Sequence, residues 1–99
     1  MNDTCSVYFS KHALKDLEKV PVHIALKLRV WIDCIVNFGL SATRKIIGYH
    51  DEPLHGDRLG IRSIRLNKAY RAIYMVEKDN SINVIKILEV TKHEYRSQR

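Results

Sequence analysis

Between residues 60 and 90 the chain runs three times through residues that favour extended backbone, at 61–66, 69–76 and 82–90. The runs are rich in isoleucine, valine and tyrosine, and short polar stretches separate them. That pattern predicts a three-stranded antiparallel meander. Arg62, Arg65 and Arg71 sit inside the first two runs, where a strand ordinarily carries apolar or uncharged side chains. His93 and Tyr95 follow just past the last run. A small sheet that carries guanidinium groups next to a titratable imidazole is suited to handling phosphate.

Ninety-nine residues suffice for one domain with a modest core, so residues 1–99 are read as a single unit. With 45% hydrophobic and 28% charged residues, the chain has an ordinary globular composition rather than a disordered one. The net charge is +6, and Arg58, Arg62, Arg65, Lys68 and Arg71 occur with no acidic residue between them. Such a basic field favours a polyanion, nucleic acid above all. The alternatives are a solvated basic face or a surface that docks an acidic protein. The longest apolar segment, 20–38, is interrupted by His23, Lys27, Arg29, Asp33 and Asn37, which excludes a membrane span. No charged start followed by an apolar block marks a signal peptide, and the cytosol is the expected compartment. Cys5 and Cys34 are far apart without metal-type spacing and read as reduced thiols.

Ahead of the meander, residues 5–9 alternate, Val7 and Phe9 on one side and Ser6 and Tyr8 on the other, as in a short strand. Ser10 is suited to cap a helix in which Leu14, Leu17 and Val20 recur at helical spacing. Pro21 ends that helix and suits the start of the next. There Ile24, Leu28, Trp31, Ile32, Ile35 and Phe38 form an amphipathic stripe, with Gly39 as the C-terminal cap. Ser41 is placed to cap a short third helix through Ile47, with Ile46 or Ile47 packed inward and Gly48 stopping it. Residues 49–59 read as a polar loop, and the segment from 91 onward as a partly frayed end. The expected architecture is α+β: a small antiparallel sheet of about four strands, with two to three helices packed on one face.

A three-residue connection between Leu66 and Tyr70 would make Arg65 and Arg71 direct cross-strand neighbours. Like charges in that position repel unless an anion lies between them, and a guanidinium fork matches a phosphodiester. A two-residue connection would place them on opposite faces. In RNA cleavage without a metal, the ribose 2′-hydroxyl attacks its own phosphate. Arginines can stabilise the phosphorane, a histidine can move a proton, and Tyr95 can orient phosphate or stack on a base. The His50, Asp51, Glu52, His55 and Asp57 group fits no familiar metal-ligand spacing, and neither a metal nor another cofactor is expected.

Glu52-Pro53-Leu54-His55-Gly56-Asp57-Arg58, Arg62-Ser63-Ile64-Arg65-Leu66, Tyr70-Arg71 and Lys92-His93-Glu94-Tyr95 together resemble the RelE/ParE toxin superfamily, nearest its HigB-like host-killing branch. The match is strongest from Tyr49 to Tyr95. The N-terminal half agrees in element order. The resemblance implies a RelE-like microbial ribonuclease-type fold that enters the ribosomal A site and cuts messenger RNA, inhibiting translation. It implies that Arg65 and Arg71 bind the scissile phosphate, with His93 a catalytic residue and Tyr95 beside it. Arg58, Arg62, Lys68 and Lys92 would add RNA contacts. Glu52 and His55 stand where the family often carries histidine and lysine, so His55, Asp57 and Glu94 all remain candidates for the general base. The implied partners are the ribosome, its message and a HigA-like antitoxin that covers the basic face. That pair commonly binds its own promoter DNA. A ParE-like inhibitor of DNA gyrase on the same fold is the alternative, and a nucleic-acid-binding module whose chemistry has lapsed is a third reading.

Overall fold

The computed structural model describes residues 4–54 and 60–92. Strand β1 (Thr4–Phe9) leads into helix α1 (Lys11–Lys19) and helix α2 (Val22–Phe38). A short helix α3 (Leu40–Arg44) and a 3₁₀ turn (Ile47–Tyr49) follow, then β2 (Glu52–Pro53), β3 (Ile61–Arg65), β4 (Tyr70–Asp79) and β5 (Ile82–Lys92).

The expected meander is present as β3, β4 and β5, each antiparallel to the next. The sheet has five strands rather than about four, in the order β1-β5-β4-β3-β2. It is also mixed, because β1 lies parallel to β5, Val7 opposite Ile85 and Phe9 opposite Ile87. A parallel neighbour needs a crossover, and α1 and α2 provide it. β2 forms within the stretch expected to be a loop. Glu52 precedes a proline and is thereby biased to extended backbone, and it pairs with Ser63 on β3.

Ser10 caps α1 through a bond from the Ala13 amide, 3.0 Å, and its hydroxyl donates to the Leu88 carbonyl, 2.7 Å. Leu88 lies where the β4–β5 register shifts. The Asp16 carboxylate accepts from the Val90 amide beside it, 2.9 Å. Polar groups of the first helix thus satisfy backbone that the irregular ladder leaves unpaired.

In α2, Ile24, Leu28, Trp31 and Ile35 are fully buried, whereas Phe38, one helical repeat further, is 69% exposed. Gly39 follows at φ 89°, a backbone region open chiefly to glycine. The third helix is shorter than expected and turns Leu40 and Thr43 inward, leaving Ile47 outside. Tyr49 fills the inward position, and its hydroxyl donates to the Lys27 carbonyl on α2, 2.9 Å. The helices cover one face of the sheet, joining Val7, Phe9, Ile64, Ala72, Tyr74, Ile85, Ile87 and Val90 in a single core. No helix among the described residues is long and apolar enough to cross a membrane.

Candidate functional site

The β3–β4 connection decides where the arginines point. Asn67 accepts bonds from the Ala69 and Tyr70 amides through its side-chain oxygen, 2.7 and 2.8 Å, and the Leu66 amide donates to the Tyr70 carbonyl, 2.8 Å. This is the three-residue connection. The asparagine side chain closes it by mimicking a backbone turn. Arg65 stands directly opposite Arg71, and strand alternation puts both on the helix-free face with Ser63, Ile73, Glu89 and Thr91.

Arg71 is held from two directions. Its Nη1 donates to the Ser63 hydroxyl at 3.4 Å and lies 3.8 Å from the Glu52 carboxylate. Glu52 faces the same side because it pairs with Ser63, and its side chain is 58% exposed. Arg65 is exposed and has no ion-pair partner among the described residues. Two guanidinium groups side by side with one accessible carboxylate can bind a single anion and leave a proton acceptor at its edge.

Arg62 faces the other way. It pairs with Tyr74 on the helix-covered face, and its Nε donates to Asp51 Oδ1 at 2.6 Å. The Asp51 side chain is fully buried, and its second oxygen accepts from the Tyr74 hydroxyl. Burial lowers the Arg62 pKa, but the bond to Asp51 and its negative charge more than offset this and hold it above the usual arginine value. Burial likewise raises the Tyr74 pKa, the hydrogen bond and charge of Asp51 add to the rise, and Arg44 beside the hydroxyl works against it. The Tyr74 ring leans on Trp31 with centroids 5.0 Å apart. Arg62 therefore belongs to the layer under the sheet, apart from Arg65 and Arg71.

Lys68 lies exposed at the tip of the β3–β4 connection, and Lys92 is exposed opposite Tyr70 at the end of β5. His55, Asp57, Arg58, His93, Glu94 and Tyr95 lie outside the described residues. Reasoning from sequence missed Glu52 and Asp51 because both fell in a segment taken for a loop. The residue before a proline is biased to extended backbone, and that rule marks Glu52, whereas nothing local marks Asp51.

No protein-family model matches the sequence, and no curated protein matches it. Solved structures do. The YoeB/ParE toxin from Agrobacterium tumefaciens superposes with a TM-score of 0.71 at 20% identity, over 90% of this chain and 99% of that one. The E. coli DinJ–YafQ toxin–antitoxin complex gives 0.69 at 17%, over 91% and 93%. The archaeal RelE–RelB complex from Pyrococcus horikoshii gives 0.67 at 23%, over 96% and 99%. At these identities the likeness establishes a shared fold, the one the sequence resemblance implied.

Proposed function

We propose that this chain, which has the RelE/ParE toxin fold, is the toxin of a type II toxin–antitoxin pair of the HigB-like kind and cleaves messenger RNA on the ribosome in the cytoplasm. The observation that carries this reading is the directly opposed pair Arg65 and Arg71 on the helix-free face, with Glu52 3.8 Å from Arg71. Two arginines side by side repel each other unless an anion lies between them, and a phosphodiester supplies that anion.

The chemistry follows from the groups. Glu52 takes the proton from the ribose 2′-hydroxyl, and the freed oxygen forms a bond to the adjacent phosphorus. Arg65 and Arg71 hold the extra negative charge of the phosphorane, the task for which fixed donors are most effective. The bond from phosphorus to the 5′-oxygen then breaks, and that oxygen takes a proton from His93, while Tyr95 orients the phosphate or stacks on a base. Glu52 joins His55, Asp57 and Glu94 as a candidate base, and it is favoured by its position against Arg71. Arg58, Lys68 and Lys92 contribute RNA contacts. Arg62 is assigned to the scaffold. The partner is a HigA-like antitoxin that covers the helix-free face and carries the pair to promoter DNA. Complexes such as DinJ–YafQ and RelE–RelB on the same fold support an antitoxin partner.

The test is to induce the chain in bacteria and map new 5′ ends of messenger RNA, beside Arg71→Ala, Glu52→Gln and His93→Ala. Cuts in the wild type that disappear in all three variants support the assignment. Intact messages with DNA damage would point instead to a ParE-like gyrase inhibitor, and no growth effect to a lapsed nucleic-acid-binding module.

A further inference from the structure

We infer that Asp51, buried under the sheet, is a positioning residue that aims Glu52 at the reacting centre on the opposite face. The inference rests on the reading in which Glu52 takes the 2′-hydroxyl proton.

Strand β2 is only two residues long, and Pro53 has no amide to give to a ladder. Beyond it, among the described residues, a single backbone bond ties the segment down, from the Leu54 amide to the Ile61 carbonyl, 2.9 Å. So short a strand fixes its side chains poorly. Just before it, His50 takes a left-handed conformation, φ 46°, which side chains rarely adopt. That turn delivers Asp51 into the layer below, where its carboxylate receives Arg62 from β3 and Tyr74 from β4. These two donors are themselves a directly opposed pair, so one carboxylate ties the start of β2 to its neighbour β3 and to β4 beyond it.

The next residue is Glu52. Its pairing with Ser63 sends its side chain to the other face, against Arg71. With Asp51 locked below, the Cα of Glu52 and the direction of its side chain are set before any substrate arrives. A misplacement of about 1 Å at a reacting group can cost on the order of 100-fold in rate, so the anchoring of this segment bears directly on catalysis. Trp31 packs under Tyr74 and keeps the tyrosine ring in place when its hydroxyl is removed.

The experiment compares Asp51→Asn and Tyr74→Phe with wild type on ribosomes programmed with a defined message, in single-turnover format below each variant's melting temperature. The expected result is a fall in the cleavage rate on the order of 10- to 100-fold, with the half-saturating concentration unchanged. The same two substitutions are then made in a Glu52→Gln background. If Asp51 acts through Glu52, they change the residual rate little there, because effects of residues acting as one unit do not add. Equal losses in both backgrounds, or wild-type rates for folded Asp51→Asn and Tyr74→Phe, would overturn the inference while leaving the proposed function standing. Glu52→Gln at full rate would overturn this inference and the role of Glu52 while leaving cleavage standing. A wild-type protein that leaves the message uncut would overturn the proposed function and this inference with it.

Discussion

Arg62 and Arg71 are equally exposed, 22% each by side chain, and they do different work. Arg62 bonds at 2.6 Å to a carboxylate with no solvent contact, which accepts a second bond from Tyr74. Arg71 faces a carboxylate that is mostly in water, 3.8 Å away, and stands beside another arginine. In the first case every charge is matched inside the protein. In the second there is positive charge to spare and room for a ligand. A basic residue is read as structural or functional from what opposes it, and its exposure alone does not tell.

The largest effect should separate the two arginines by stability. Arg62→Ala strands the buried Asp51 charge and should cost roughly 3–5 kcal/mol in urea unfolding, a large part of the total for a domain of this size. Arg71→Ala removes only a half-exposed pair and should cost less than about 1 kcal/mol, while cleavage falls on the order of 100- to 1000-fold. If Arg71→Ala unfolds the protein and Arg62→Ala does not, the contrast between the faces is wrong.

A smaller effect sharpens the covered side. Tyr74→Phe keeps the ring against Trp31 and removes one bond to a charged group, a loss of roughly 1.5–3 kcal/mol. Because burial, and then Asp51, raises the Tyr74 pKa despite the opposing pull of Arg44, the folded state keeps the proton after an unfolded chain would lose it. The stabilisation is therefore complete below about pH 10, the ordinary tyrosine value, and drains away as pH rises above it. Urea midpoints measured between about pH 9 and 11 should fall more steeply in wild type than in Tyr74→Phe.

The smallest effect concerns the open side. Arg65→Gln relieves a like-charge pair and should stabilise the free protein by roughly 0.2–1 kcal/mol. Sulfate should raise the melting temperature of wild type more than that of the variant, because the anion then has one guanidinium fewer to bridge. An equal response in both would remove the argument that the pair is built around an anion.

Much of this contrast can be followed from residue order alone. The meander, the main stripe of the second helix and the Ser10 cap are local patterns, and they appear where periodicity places them. The opposition of Arg65 and Arg71 hangs on loop length, which Asn67 settles through its side chain. Arg62 lies three positions from Arg65, so alternation alone puts it on the other face, yet grouping the basic residues by sequence hides this. The parallel pairing of β1 with β5 and the burial of Asp51 were not legible. Both depend on partners distant in sequence, and a polar segment gives no local sign that its carboxylate will find Arg62 and Tyr74.

The pairing of β1 with β5 also sets the order of events during synthesis. Residues 4–9 are made well before their partners, residues 82–87. Until then the early segment has no neighbour in the sheet, and closing so long a loop slows folding. The sheet that presents Arg65 and Arg71 closes around β1 only once β5 has been made.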